Sequence, residues 1–100
     1  MKMHWEPYDG GNDFDLVLTL DDGRKAHVAF VRPVYVEDKL KYPEYDTRWR
    51  WVARSFLGDF TDEDVPLKSK RAAMLKARRE TPALWIAAAQ ETRNAVIDNH

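Results

Sequence analysis

Residues 13–30 read DFDLVLTLDDGRKAHVAF, and the register of this stretch decides the fold. Phe14, Leu16, Leu18 and Leu20 alternate with Asp13, Asp15, Val17 and Thr19, so one face of a strand is apolar at period two. Asp21-Asp22-Gly23 breaks the pattern, and a second β-rich run extends from Lys25 to Val36. A two-residue loop would set Leu18 against His27 and Leu20 against Lys25. A three-residue loop sets Phe14 opposite Phe30, Leu16 opposite Val28 and Leu18 opposite Ala26, which gathers the apolar side chains on one face. The second register is preferred. It requires a type I turn closed by Gly23 in the left-handed conformation, where a side chain would be strained. His27 then falls on the polar face near Asp13, Asp15 and Lys25, and a cross-strand pair is expected there.

Outward from this hairpin, residues 1–12 are polar and end in Asp9-Gly10-Gly11-Asn12, which is turn chemistry. Pro33 ends the ladder or marks an edge. Residues 37–46, with Pro43 among them, read as a loop. Residues 47–60 carry two signals. Trp49 and Trp51 alternate with Arg48 and Arg50, as in a strand, whereas Trp49, Val52, Ala53, Phe56, Leu57 and Phe60 fall at helical spacing. The aromatic and β-branched residues favour the strand, followed by a turn at Gly58-Asp59 and a return strand; helix remains the alternative.

Asp62-Glu63-Asp64-Val65-Pro66 has the composition of a helix start. A first helix is expected from Leu67 to Arg79, with the narrow apolar arc Leu67, Ala73, Met74 and Ala77. Thr81-Pro82 resembles a second start, for a helix reaching Ile97 with the stripe Trp85, Ala88, Ala89, Thr92 and Val96. One rod kinked at Pro82 is the alternative. The expected architecture is a single α+β domain over residues 1–100, strand-rich across 13–60 and helical across 65–97. An antiparallel hairpin with a third strand packs against one or two C-terminal helices.

The chain has 16 basic and 17 acidic residues and a net charge of -1, so no domain-wide charge excess points to a polyanionic partner. Without cysteine, thiolate metal sites, disulfides and a cysteine nucleophile are excluded. The three histidines, His4, His27 and His100, lack metal-ligand spacing. The acidic cluster Asp59, Asp62, Glu63 and Asp64 lacks the glycine and closing glutamate of a calcium loop. Ser55 and Ser69 sit in no nucleophile-elbow pattern. No catalytic residue, metal or cofactor is assigned. No apolar run is long enough to cross a bilayer and the first residues carry no signal-peptide core, so a cytoplasmic protein without membrane association is expected.

Two surfaces remain as candidates. Trp5, Tyr8, Tyr35, Tyr42, Tyr45, Trp49, Trp51 and Trp85 exceed what a core built on two thin helices absorbs, and Tyr, Trp and Arg cluster in Tyr42, Tyr45, Arg48, Trp49, Arg50, Trp51 and Arg54. This segment is the expected contact for another protein or a second copy. The leading expectation is a non-catalytic accessory or regulatory module, of which a phage-type inhibitor of a host complex would be one instance. The alternative is a nucleic-acid-binding domain using Arg48, Arg50 and Arg54 with the basic arc Lys68, Arg71, Lys76, Arg78 and Arg79. The structural readings that compete with these are that Trp49 and Trp51 cap the core between sheet and helices, that the arginines pair with Asp13 and Asp15 across strands, and that the basic helix is a solvated face.

Overall fold

The computed structural model describes residues 1–8, 12–58, 60–62 and 65–98. The fold is α+β: a five-stranded antiparallel sheet in the order β1-β2-β3-β4-β5, with one C-terminal helix. The strands are β1 (Lys2–Tyr8), β2 (Asp13–Thr19), β3 (Lys25–Glu37), β4 (Tyr45–Arg54) and β5 (Phe60–Asp62), and the helix is α1 (Lys70–Asp98).

The β2–β3 turn is the expected one. Gly23 N donates to Leu20 O at 2.9 Å and Gly23 has φ +89°. Leu18 lies opposite Ala26, as the three-residue loop requires. Beyond that pair the expected register is corrected. Val28 is an extra residue in β3, so Leu16 faces Ala29 and Phe14 faces Val31 rather than Val28 and Phe30. The bulge inverts the parity of β3. Ala29 and Val31 therefore point to the helix, and Phe30 to the other face.

Residues 47–60 form strand, turn and strand as preferred, with Ser55–Gly58 turning between β4 and β5. The strand read for Val34-Tyr35-Val36 is the distal half of β3, paired with β4 as far as Glu37. Pro33 does not end the ladder with β4 but marks an edge, the second of the two expected readings. Trp49 exchanges both backbone hydrogen bonds with Leu67, at 2.7 and 2.9 Å, so Trp49 and Pro33 are a non-hydrogen-bonded pair. The nitrogen of Pro33 thus points past the end of β2, whose pairing with β3 stops at Val31. One expectation at the N-terminus changes: residues 2–8 are an edge strand rather than a polar lead-in. The turn expected at Asp9-Gly10-Gly11 lies outside the described residues.

The helix begins later than the acidic signature suggested. Leu67 bridges to β4, and Ser69 caps α1: its Oγ accepts from Ala72 N at 3.2 Å. Lys68 therefore precedes the helix. Replacing Ser69 with Ala is expected to cost about 1 kcal/mol in urea unfolding, while replacing the exposed Lys68 leaves the midpoint within error. The two expected helices are one, running through Pro82. Ala73, Ala77, Thr81 and Ala88 are its buried residues, and three alanines let the helix lie close on the sheet. Thr81 Oγ1 satisfies itself on Ala77 O at 2.7 Å. Trp85 pins the middle of the helix by donating from Nε1 to Arg54 O at 2.6 Å and meeting Phe56 edge-on.

The core lies between α1 and the sheet. Leu16, Val28, Val31, Trp51 and Ala53 meet Ala73 and Ala77 there, with Trp49, Leu67 and Met74 packed around them. The particle measures 62 × 29 × 18 Å. One end is the β3–β4 hairpin, with cis-Pro43 near its tip. No helix is long and apolar enough to cross a membrane, among the described residues.

Candidate functional site

The sheet face away from α1 carries the arginines that alternation placed there, together with a lattice of opposite charges. His27 Nδ1 lies 2.9 Å from Asp15 Oδ2, which is the expected cross-strand pair. Asp13 pairs with Arg32 at 3.3 Å, and Arg48 with its strand neighbour Asp46 at 2.9 Å. The guanidinium groups of Arg32 and Arg54 sit 4.4 and 5.2 Å from the centre of the Phe30 ring, which the bulge turned to this side. Arg50 is also engaged by a neighbour. Val17 is fully buried on this face, flanked across the strands by His4 and His27.

Two carboxylates are tuned by this lattice. A hydrogen bond from His4, and a second from Lys25, hold Glu6 below its ordinary value of 4.5. Hydrogen bonding by Lys41 is the main cause that lowers Asp46 below 3.8. Both groups bind protons more tightly in the unfolded chain. Their stabilisation is complete above the ordinary carboxylate range and is lost as the pH falls through the lowered values. Urea midpoints are therefore expected to drop on acidification below about pH 4.5. The double variant Glu6→Gln/Asp46→Asn flattens that acid limb, and an unchanged limb would contradict this account.

A shallow cavity of about 250 Å³ on this face is lined by Tyr8, Asp15, His27, Phe30, Arg32 and Arg54. Its imidazole and its Arg32 guanidinium already face carboxylates, and its lining residues include no serine, threonine or cysteine to act as a nucleophile. Among the described residues, no three His, Asp or Glu side chains gather to hold a metal ion.

The second candidate lies on the helix side. Adjacent strands are about 4.8 Å apart and a helix is about 10 Å across, so one helix cannot cover five strands. α1 packs over β3 and β4. The apolar side of β1 and β2 is left half-covered, with Met3, Trp5, Phe14 and Leu18 all partly exposed. Between that shelf and the helix runs a groove of about 460 Å³, walled by Met3, Leu18, Val28, Pro82, Trp85 and Ile86. Ile86 is 61 % exposed. Past Ala88, the last buried residue, residues 89–98 are all exposed, including Val96 and Ile97.

The expected partner-binding residues divide between these surfaces. Trp51 is only 3 % exposed and Trp49 is half-buried against Lys70, so both belong to the core under α1, and Trp51 has no surface to offer a partner. Arg48, Arg50 and Arg54 lie on the opposite face. Tyr42 is fully exposed near the hairpin tip, and Tyr45 meets Tyr35 edge-on. Of the basic arc, Arg71, Arg78 and Arg79 are exposed on α1, while Lys76 is half-buried and engaged by a neighbour. Arg78 reaches the Met3 carbonyl at 3.5 Å. The groove was not singled out from sequence, although Met3 and Trp5 alternate with His4 and Glu6 and carried its signal. No family model, no curated protein and no solved structure matches this chain.

Proposed function

We propose that this protein is a non-catalytic protein-binding module, and that its docking surface is the groove between the β1–β2 shelf and α1. One observation carries the reading: a concave apolar strip beside a helix whose exposed side bears Leu75, Ile86, Val96 and Ile97, each more than half exposed. The apolar lining of the groove, with Ile86 at its exposed edge, is surface of the kind that, rimmed by charge, marks interaction sites. The arginine face gives less support to the nucleic-acid alternative, because Arg32 and Arg48 each face a carboxylate already.

The test is affinity capture from nuclease-treated lysate, with each captured protein identified and its binding reconstituted from purified components. Ile86→Glu is expected to abolish binding while shifting unfolding by no more than about 0.5 kcal/mol, since Ile86 is exposed. Tyr42→Ala retains binding. Equal binding by wild type and Ile86→Glu would overturn the assignment. Steeply salt-dependent binding to generic duplex DNA, lost in the variant Arg71→Ala/Arg78→Ala, would favour the nucleic-acid alternative.

A further inference from the structure

We infer that the occupant of this groove is an acidic amphipathic helix belonging to another protein. The inference rests on the reading of the groove as a docking surface, and names the partner from shape and charge.

Shape comes first. The uncovered part of the sheet is about one helix wide, because β1 and β2 together span what β3 and β4 present to α1. A strand would instead add to the free edge of β1. That edge carries Pro7, which has no N–H to donate, together with the charged side chains of Lys2 and Glu6, and these are devices that discourage strand addition. A helix laid beside α1 needs none of those backbone groups and covers Pro82, Trp85 and Ile86 along with the shelf.

Charge then selects the helix. At about 100° per residue, Arg71, Arg78, Arg79 and Arg93 fall on the flank of α1 that borders the groove and on its exposed crest. Glu80, Glu91 and Asp98 fall on the opposite flank. Arg78 lines the groove itself, and no Asp or Glu does, among the described residues. An incoming helix with glutamate or aspartate beside its apolar stripe is complementary to this rim. A second copy of the chain is not, because an antiparallel pair of α1 helices would bring these arginines against one another. The groove is concave, so a flat lipid surface reaches its rim but not its floor.

Two synthetic peptides test this, each about 18 residues long so that helix can form. They share one Leu/Ala stripe and differ only in carrying Glu or Lys on its flanks. Titration followed by tryptophan fluorescence is expected to show the Glu peptide binding at least about tenfold more tightly than its Lys twin, with the difference shrinking as salt rises. Arg78→Glu/Arg93→Glu is expected to reverse the preference. Equal binding of the twins, or preference for the Lys peptide, would overturn the inference. So would a wild-type dimer that Ile86→Glu converts to monomer, or anionic phosphatidylglycerol vesicles that bind the chain while neither peptide does. If neither peptide binds while Ile86→Glu still abolishes binding of a captured protein, the acidic-helix inference falls and the docking surface stands. If Ile86→Glu binds that protein as wild type does, the docking surface itself falls.

Discussion

Trp51→Ala is expected to destabilise the protein by about 3–5 kcal/mol, a large fraction of the roughly 5–15 kcal/mol that holds a domain of this size together. Trp51 sits opposite Val31 in the centre of the sheet, and its ring fills the space under Ala73 and Ala77. Those small helix residues have no side chain with which to fill the cavity an alanine would leave. Removing the indole also lets α1 sink or tilt, so the loss is expected to appear as a lower urea midpoint with broadened near-ultraviolet signals. Trp51→Phe separates volume from polarity. Among the described residues nothing accepts a hydrogen bond from the buried Trp51 Nε1, and an unpaired donor of that kind costs about 1–3 kcal/mol. Phenylalanine discards the donor and keeps most of the ring, so it is expected to cost less than about 1.5 kcal/mol. A loss for Trp51→Phe as large as that for Trp51→Ala would mean that the N–H, which both variants remove, is hydrogen-bonded and contributes more than the ring volume.

The second large effect has the opposite sign. Pro82 lies inside a 29-residue helix, where it cannot donate to the Arg78 carbonyl and its ring crowds the preceding turn. It is exposed, so no core packing depends on it. Pro82→Ala is therefore expected to stabilise the protein by about 1–3 kcal/mol, read as a higher urea midpoint with an unchanged slope. Stabilising substitutions of this size at an exposed position point to a residue kept for another reason. Pro82 forms part of the groove wall. The same variant is accordingly expected to bind the acidic peptide more weakly, because the ring contact is lost. A variant that is both less stable and unchanged in binding would contradict each half of this account.

Much of the architecture is legible in residues 13–54, for identifiable reasons. The turn at Gly23 follows from its need for positive φ and from the pairing of Leu18 with Ala26. The alternation of Arg48 and Arg50 with Trp49 and Trp51 fixes which side of β4 meets the helix. The bulge is not legible, because Val28-Ala29-Phe30-Val31 is apolar throughout and offers no parity to contradict. Its consequence is local but matters, since it delivers Phe30 to the arginine face. The helix start misleads because Asp62-Glu63-Asp64-Val65-Pro66 has the right composition, yet the backbone of Leu67 is spent on Trp49 and the cap passes to Ser69. Pro82 reads equally well as a first-turn residue or as an interior one, and only packing on both sides of it decides.

Exposed apolar surface was legible in kind but not in place. Counting aromatics correctly anticipates apolar side chains left outside, but it cannot say which, and the tryptophans of β4 lie on the helix side. Leu75, Ile86, Val96 and Ile97 stand out as well, because they lie on the side of α1 turned from the sheet or beyond its last buried residue. Asp13 does pair across strands, but with Arg32; Arg48 takes Asp46 from its own strand, and Asp15 is taken by His27 rather than by an arginine.

The groove assignment is tested most directly by an NMR titration of the wild-type chain with the Glu-flanked helical peptide. The methyl signals of Met3, Leu18 and Ile86 and the indole N–H of Trp85 are expected to shift together and saturate at one peptide per chain. Tyr42, His27 and Arg54 are expected to stay in place. Shifts confined to the arginine face or to the β3–β4 hairpin tip, with those four groups unmoved, would place the binding surface elsewhere.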